Sequence, residues 1–290
     1  MNPLKIIVLA KQVPDTRNVG KDAMKADGTV NRAALEAIFN PEDLNALEQA
    51  LRIKDQVKGS TVSILTMGPG RAADIIREGF YRGADGGVLL TDRKFAGSDT
   101  LATSYAISTA LDKMEYDIVI AGRQAIDGDT AQVGPQAAEK AGLPQVTYVE
   151  EIENIDSKHL TIRRRLDNGI EIVKAPFPLL LTVHSSAADC RPRIAKNVMK
   201  YKHARTLTEL QDATEDYTRL FSDRPYLKIR EMGADEIGAD VESLGISGSP
   251  TKVKKIENVV FKAKEAKVIS SDDKGIEELI VELFENHTIG

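Results

Sequence analysis

Between Gln124 and Gln136 the chain reads QAIDGDTAQVGPQ, a run of small and short polar residues directly behind the apolar stretch Asp117 to Ala121, DIVIA. A buried strand that runs into such a loop and then a short helix puts backbone N–H groups at a strand's carboxyl end. Ligands of open α/β sheets collect there. With few large side chains in the way, a phosphate can come close to the backbone, so the loop predicts a nucleotide site. Its candidate contacts are Gly122, Gln124, Ala125, Gly128, Asp129 and Thr130, then Ala131, Gln132, Val133, Gly134, Pro135 and Gln136.

Two further loops have the same form. Met67-Gly68-Pro69-Gly70 follows a strand-like run and opens a helix, which makes Met67 and Gly68 candidates; such a turn is also ordinary βα punctuation. Ala96-Gly97-Ser98-Asp99-Thr100 repeats the pattern and adds Asp99, Thr100 and Thr103. Three such loops, all at strand carboxyl ends, would converge on one crevice. Lys11-Gln12-Val13-Pro14-Asp15-Thr16 sets Lys11 just past Leu9 at another strand end, or is simply a solvated loop with a proline stop. Asn40-Pro41-Glu42-Asp43 offers Asn40 and Asp43 either to the same crevice or to the cap of a helix.

Other chemistries find little support. No GxxxxGK[ST] loop occurs, and no serine, histidine and carboxylate stand in a nucleophile setting. His159, His184, His203 and His287 lack metal-ligand spacing, so no metal site is expected. Asp127 and Asp129 flank Gly128 as a possible carboxylate pair, although aspartate in such turns commonly serves backbone hydrogen bonding. The basic run RPRIAKNVMKYKHAR, Arg191 to Arg205, and Arg163-Arg164-Arg165 suit a solvated surface or an acidic protein partner better than nucleic acid, because the whole chain carries a formal charge of −5.

The elements that must position these residues are legible as periodicity. KIIVLA (Lys5 to Ala10), TVSILT (Thr61 to Thr66), GVLL (Gly87 to Leu90) and DIVIA read as buried strands. Helical patterns lie between them: one after Asn40-Pro41, one over 70–81, and one from a Ser98-Asp99 cap to about Met114. The alternation predicts an α/β fold with a mostly parallel, Rossmann-like sheet and flanking helices. Gln145 to Ile152, His159 to Leu166, Gly169 to Lys174 and Leu179 to Val183 read as an antiparallel extension of that sheet, with a hairpin turn at Asp167-Asn168-Gly169. The division expected is a nucleotide-binding domain over 1–205 and an arm over 206–290. The arm would lie on this domain or on a partner and end in an amphipathic helix carrying Ile276, Leu279, Ile280, Leu283 and Phe284.

The totals set the bounds. At 290 residues, 42% hydrophobic, the chain can bury a full core. A single cysteine, Cys190, rules out an intrachain disulfide and a CxxC pair. Ile6 to Ala10 is too short for a signal segment, and no run approaches the ~20 apolar residues of a membrane span. A cytoplasmic setting is the expectation. The absence of tryptophan argues against a stacking platform for single strands.

Taken in order, KQVPD (Lys11 to Asp15), NPED (Asn40 to Asp43), MGPG (Met67 to Gly70), AGRQAIDGDTAQVGPQ (Ala121 to Gln136) and RPRIAKNVMKYK (Arg191 to Lys202) resemble the β subunit of electron transfer flavoproteins. The resemblance spans roughly Lys5 to Arg205. It implies a heterodimer with an α subunit and electron transfer through FAD. Housekeeping members hold AMP in the β subunit, with a D-x-C-N-Q-T-G loop; this chain has Thr130-Ala131-Gln132-Val133-Gly134-Pro135 instead. In that respect, and in AGSDTLATSY (Ala96 to Tyr105), it resembles the electron-bifurcating branch, in which a second FAD takes the place of AMP. NADH would then be the electron donor, and ferredoxin or flavodoxin and an acyl-CoA dehydrogenase-like enzyme the acceptors. Arg191, Arg193, Lys196 and Met199 match the family's partner-recognition segment. A nucleotide-binding regulatory domain without a redox role is the rival from another class.

Overall fold

The computed structural model describes residues 1–15, 36–211, 219–251 and 268–285. Thr16 and His287 lie outside the described residues. In chain order the elements are β1 (Lys5–Leu9), β2 (Gln12–Pro14), β3 (Ala37–Phe39), α1 (Pro41–Gln56), β4 (Thr61–Met67), α2 (Ala73–Arg82), β5 (Gly86–Leu90), α3 (Thr100–Leu111), β6 (Ile118–Gly122) and α4 (Val133–Lys140). They continue with β7 (Gln145–Ile155), β8 (His159–Leu166), β9 (Gly169–Pro176), β10 (Leu179–Val183), α5 (Ala195–Tyr201), α6 (Leu207–Gln211), α7 (Leu220–Asp223), β11 (Arg230–Met232), α8 (Ala234–Ile237) and α9 (Asp273–Glu285).

Among the described residues nine strands form one sheet in the order β11-β5-β4-β1-β6-β10-β7-β8-β9, and β2 pairs with β3 apart from it. Alternate residues of each central strand feed the two faces. Ile6 and Val8 of β1 join a core with α1 and α2, whereas Ile7 and Leu9 join one with α3 and α4. The sheet is thus covered on both sides by helices, the α/β class that the strand–helix alternation predicts.

One strand departs from expectation. Leu179–Val183 does not extend the sheet as an antiparallel neighbour of the hairpin before it; β10 lies between β6 and β7 and runs parallel to both. All five of its residues are buried. A strand apolar on both faces loses least in a doubly covered sheet interior, and the edge position would waste that burial. Among the described residues, the antiparallel pairings of the large sheet are β7 with β8 and β8 with β9, and β9 keeps Ile170 and Ile172 exposed.

The segment after the basic run is partly built into this domain. Leu227, Ile229, Met232, Ile237 and Leu244 are buried, and β11 adds a parallel strand to the edge beside β5. The final helix, α9, leaves Ile276, Ile280, Val281 and Phe284 about half exposed. Among the described residues no helix is long and apolar enough to cross a membrane.

Candidate functional site

The chain leaves β1 toward β4 on one side and returns to β6 on the other, so the gap between β1 and β6 is the point where strand order reverses. A cleft of about 380 Å³ opens there, at the strands' carboxyl ends. Leu9, Leu65, Met67, Ile107 and Ala121 give it an apolar floor, and the loop from Gly122 to Gly134 forms one wall. The first turn of α3, through Asp99, Thr100 and Thr103, forms the other. The positive dipole ends of α3 and α4 therefore both face the opening, a setting that favours an anion, although Asp99 already engages the Leu101 and Ala102 N–H groups of α3.

The NPED segment ties this loop down, and it does so without capping α1. Asn40 precedes α1 but makes no side-chain cap bond. It is fully buried, its amide donates to the Gln124 carbonyl at 2.9 Å, and its Oδ1 accepts from Ile126 N–H at 3.2 Å. Glu42 accepts from Gln124 N–H at 2.9 Å and from the Arg123 guanidinium at 2.9 Å. Asp43 accepts from Lys11 N–H at 2.8 Å and Gly122 N–H at 3.1 Å, and so joins the second residue past β1's end to the last of β6. Burial pushes the Asp43 carboxyl up to about 7, against hydrogen bonds from Lys11, Asn40 and Gly122 that favour its charged form. A Cβ on Gly122 would stand 2.4 Å from Asp43 Oδ1 and 2.7 Å from backbone atoms of Asp43 and Glu42, so only glycine fits there.

Other bonds set the two walls against each other. Thr100 Oγ1 donates to Gln132 Oε1 at 2.7 Å, and Ser104 and Gln136 meet at 3.2 Å between α3 and α4. Asp99 caps α3 through Leu101 and Ala102 N–H groups and also accepts from Thr251 N–H at 3.0 Å. Its carboxyl is held below the usual range: burial opposes this, and the three N–H donors outweigh it. Lys11 Nζ reaches across to Asp127 at 2.7 Å, and Gln124 donates to Asp129 at 2.9 Å, so the two aspartates flanking Gly128 act separately and not as a pair. Asp129 and Ala131 take positive φ values of 49° and 53°. Left-handed backbone is unusual for alanine and stores strain that a ligand-facing loop commonly carries.

Of the residues singled out in the sequence, Leu9, Lys11, Asp43, Met67, Asp99, Thr100, Thr103 and the loop members from Gly122 to Gly134 named above all line this cleft. Asn40, Gly68, Pro135 and Gln136 are not among its lining residues; Asn40 and Gln136 act one layer behind, through the bonds just described. Arg123 also lines the cleft; it stands inside the Ala121 to Gln136 motif, but its residue type and spacing did not single it out. Its guanidinium is held by Glu42 and lies 5.9 Å from the Tyr148 ring, itself in a strand bulge at φ 57° and stacked on His184. His184 in turn pairs with Ser186 at 2.9 Å, in a local turn.

The four basic-run residues divide. Arg191 is bound to Glu48 at 3.0 Å and Asp55 at 2.9 Å on α1, and Arg193 pairs with Glu78 on α2. Lys196 and Met199, on α5, are exposed, Met199 to 65%.

Residues 27–208 match the electron transfer flavoprotein domain. The chain is 44% identical over 252 residues to the electron transfer flavoprotein subunit beta of Clostridium acetobutylicum, across 87% of each chain. It is 39% identical over 290 residues to the acryloyl-CoA reductase electron transfer subunit gamma of Anaerotignum propionicum, across 99% of this chain and 100% of that one. It is also 39% identical to the caffeyl-CoA reductase-Etf complex subunit CarD of Acetobacterium woodii, across 86% of each chain.

Proposed function

Because the chain belongs to the electron transfer flavoprotein family, among its β subunits, we propose that it holds FAD in the cleft between β1 and β6 and acts in electron bifurcation with an α subunit. The observation that carries this reading is the cleft itself: an apolar floor beneath two helix N-termini, at the switch point of the sheet. Bound there, FAD would supply the chemistry, accepting a hydride from NADH and passing one electron to ferredoxin or flavodoxin and one toward the α-subunit flavin.

The protein's own residues bind and orient. N–H groups at the start of α4 and in the loop before it meet the pyrophosphate, and Lys11, paired with Asp127, lies at the rim. Leu9, Leu65, Met67 and Ile107 keep water from the apolar part of the ligand. Arg123, ion-paired with Glu42, holds its guanidinium at the cleft wall beside the ligand. Lys196 and Met199 form part of the surface that meets a CoA-ester dehydrogenase or reductase, in keeping with the relatives named for acryloyl-CoA and caffeyl-CoA reductases.

A second reading, AMP in the same cleft, uses the same phosphate contacts and needs no room for a flavin ring. Counting flavin and released adenylate per αβ complex separates them. Two FAD per complex supports the proposal, one FAD with one AMP supports the second reading, and no flavin defeats both. Bleaching of the flavin by NADH is the further check on the donor.

A further inference from the structure

We propose that Asp43 is a proton-linked positioning residue of the cleft, taking up a proton as an anionic nucleotide binds and thereby tying the spacing of the β1 and β6 ends to ligand charge. This rests on the reading of the cleft as a nucleotide site. Asp43 is among the lining residues and only 6% exposed, and its three partners are the uncharged N–H groups of Lys11 and Gly122 and the Asn40 amide. A buried carboxylate without a cation is poised to exchange its proton when the local potential changes.

The charged groups around it leave that role open. On α1, Glu42 adds like charge, but its carboxylate is engaged by Arg123 and Gln124. From the β6 loop Arg123 is turned onto Glu42, and from the β1 loop the Lys11 ammonium is turned onto Asp127. Across the cleft, Asp99 is spent on the α3 cap and Thr251, and Asp129 on Gln124. An arriving phosphate or pyrophosphate brings negative charge that raises the proton affinity of Asp43. Once protonated, one oxygen becomes a donor and can no longer accept well from the N–H it faces, so one strand-end bond weakens as the ligand enters.

The test is calorimetric titration of FAD into the nucleotide-stripped complex of the full chain with its partner subunit, in buffers of different ionisation enthalpy. FAD is the main probe because its pyrophosphate does not titrate near neutrality; AMP, with a phosphate pKa near 6, is run beside it. If the ligand moves the group by one unit, uptake is roughly 0.4 proton at pH 8 and affinity falls about five-fold from pH 7 to 9. Asp43→Asn should remove both effects. Equal uptake by D43N, or none by the unaltered protein while FAD still binds, overturns the proposal. Failure of both FAD and AMP to bind overturns the nucleotide reading itself, and with it this inference. Should D43N not fold, infrared difference spectra of the unaltered protein with isotope-labelled aspartate decide: a new protonated-carboxyl C=O band on binding supports the proposal, and its absence refutes it.

Discussion

Gly122→Ala is the sharpest perturbation the cleft offers. The added Cβ would lie 2.4 Å from Asp43 Oδ1 and 2.7 Å from Asp43 N and Glu42 C, whereas ordinary contact begins at 3.4 Å. Relief demands a shift of about 1 Å between β6 and the start of α1, and two of the three clashing atoms are backbone, which cannot swing aside. Such a shift opens the 3.1 Å bond from Gly122 N–H to Asp43 and disturbs the 2.9 Å bonds that Glu42 and Asn40 make to Gln124. At ~1 kcal/mol for each neutral bond and more for those to carboxylates, with the overpacking added, the loss is about 3–5 kcal/mol. That is a large share of the 5–15 kcal/mol typical of folded domains. Urea unfolding measures it directly, with Gly128→Ala as the control: no atom stands within 4 Å of a Cβ there, so it should shift stability by less than ~0.5 kcal/mol. A Gly122→Ala protein within 1 kcal/mol of the parent would refute the close-approach reasoning.

Four further outcomes are expected. The Asp43 carboxyl, raised to about 7, holds its proton more tightly folded than unfolded; its contribution is therefore full below its usual value near 3.9 and is lost as pH rises toward 7, by at most about 4 kcal/mol, and denaturation of D43N across that window should lack this slope. Arg77 is 9% exposed and binds Glu209, Asp74 and the Ala204 carbonyl, so Arg77→Leu should cost about 3 kcal/mol in denaturant unfolding, chiefly by stranding Glu209. Arg191→Ala should lower the melting temperature, since its partners are Glu48 and Asp55 of this chain. Lys196→Glu should leave the melting temperature unchanged and weaken coupling to the partner dehydrogenase several-fold in a reduction assay.

The cleft was legible where chemistry repeats along the chain. Short-side-chain loops behind TVSILT, GVLL and DIVIA announce strand ends, and they converge because parallel strands all point their carboxyl ends the same way. Asn40 and Asp43 looked equally suited to capping; which loop they meet depends on how α1 lies across β1 and β6, a fact of tertiary packing. Arg123 stands inside the Ala121 to Gln136 motif but was not singled out, because a lone arginine after a strand is common. β10 was placed by the default that consecutive strands pair as neighbours. Its composition, LLLTV, held the contrary clue of burial on both faces. β11 is three residues long, and the buried residues around it follow no period, so nothing short of the folded sheet edge reveals it.

The late position of β10 bears on the order in which the chain can assemble. β1, β4, β5 and β6 can pair as soon as Gly122 has been made, and with them the floor of the cleft. β7 has no partner among them; its parallel neighbour is β10, which arrives after both turns of the meander have been synthesised. Until Leu179–Val183 enters, β6 presents an open, apolar edge and the β7–β9 meander is tethered but unattached. Insertion of one strand then closes two ladders at once, so the slow step of folding should lie there, and a pause or proline in 179–183 should send newborn chains to aggregation even though β1, β4, β5 and β6 are already paired.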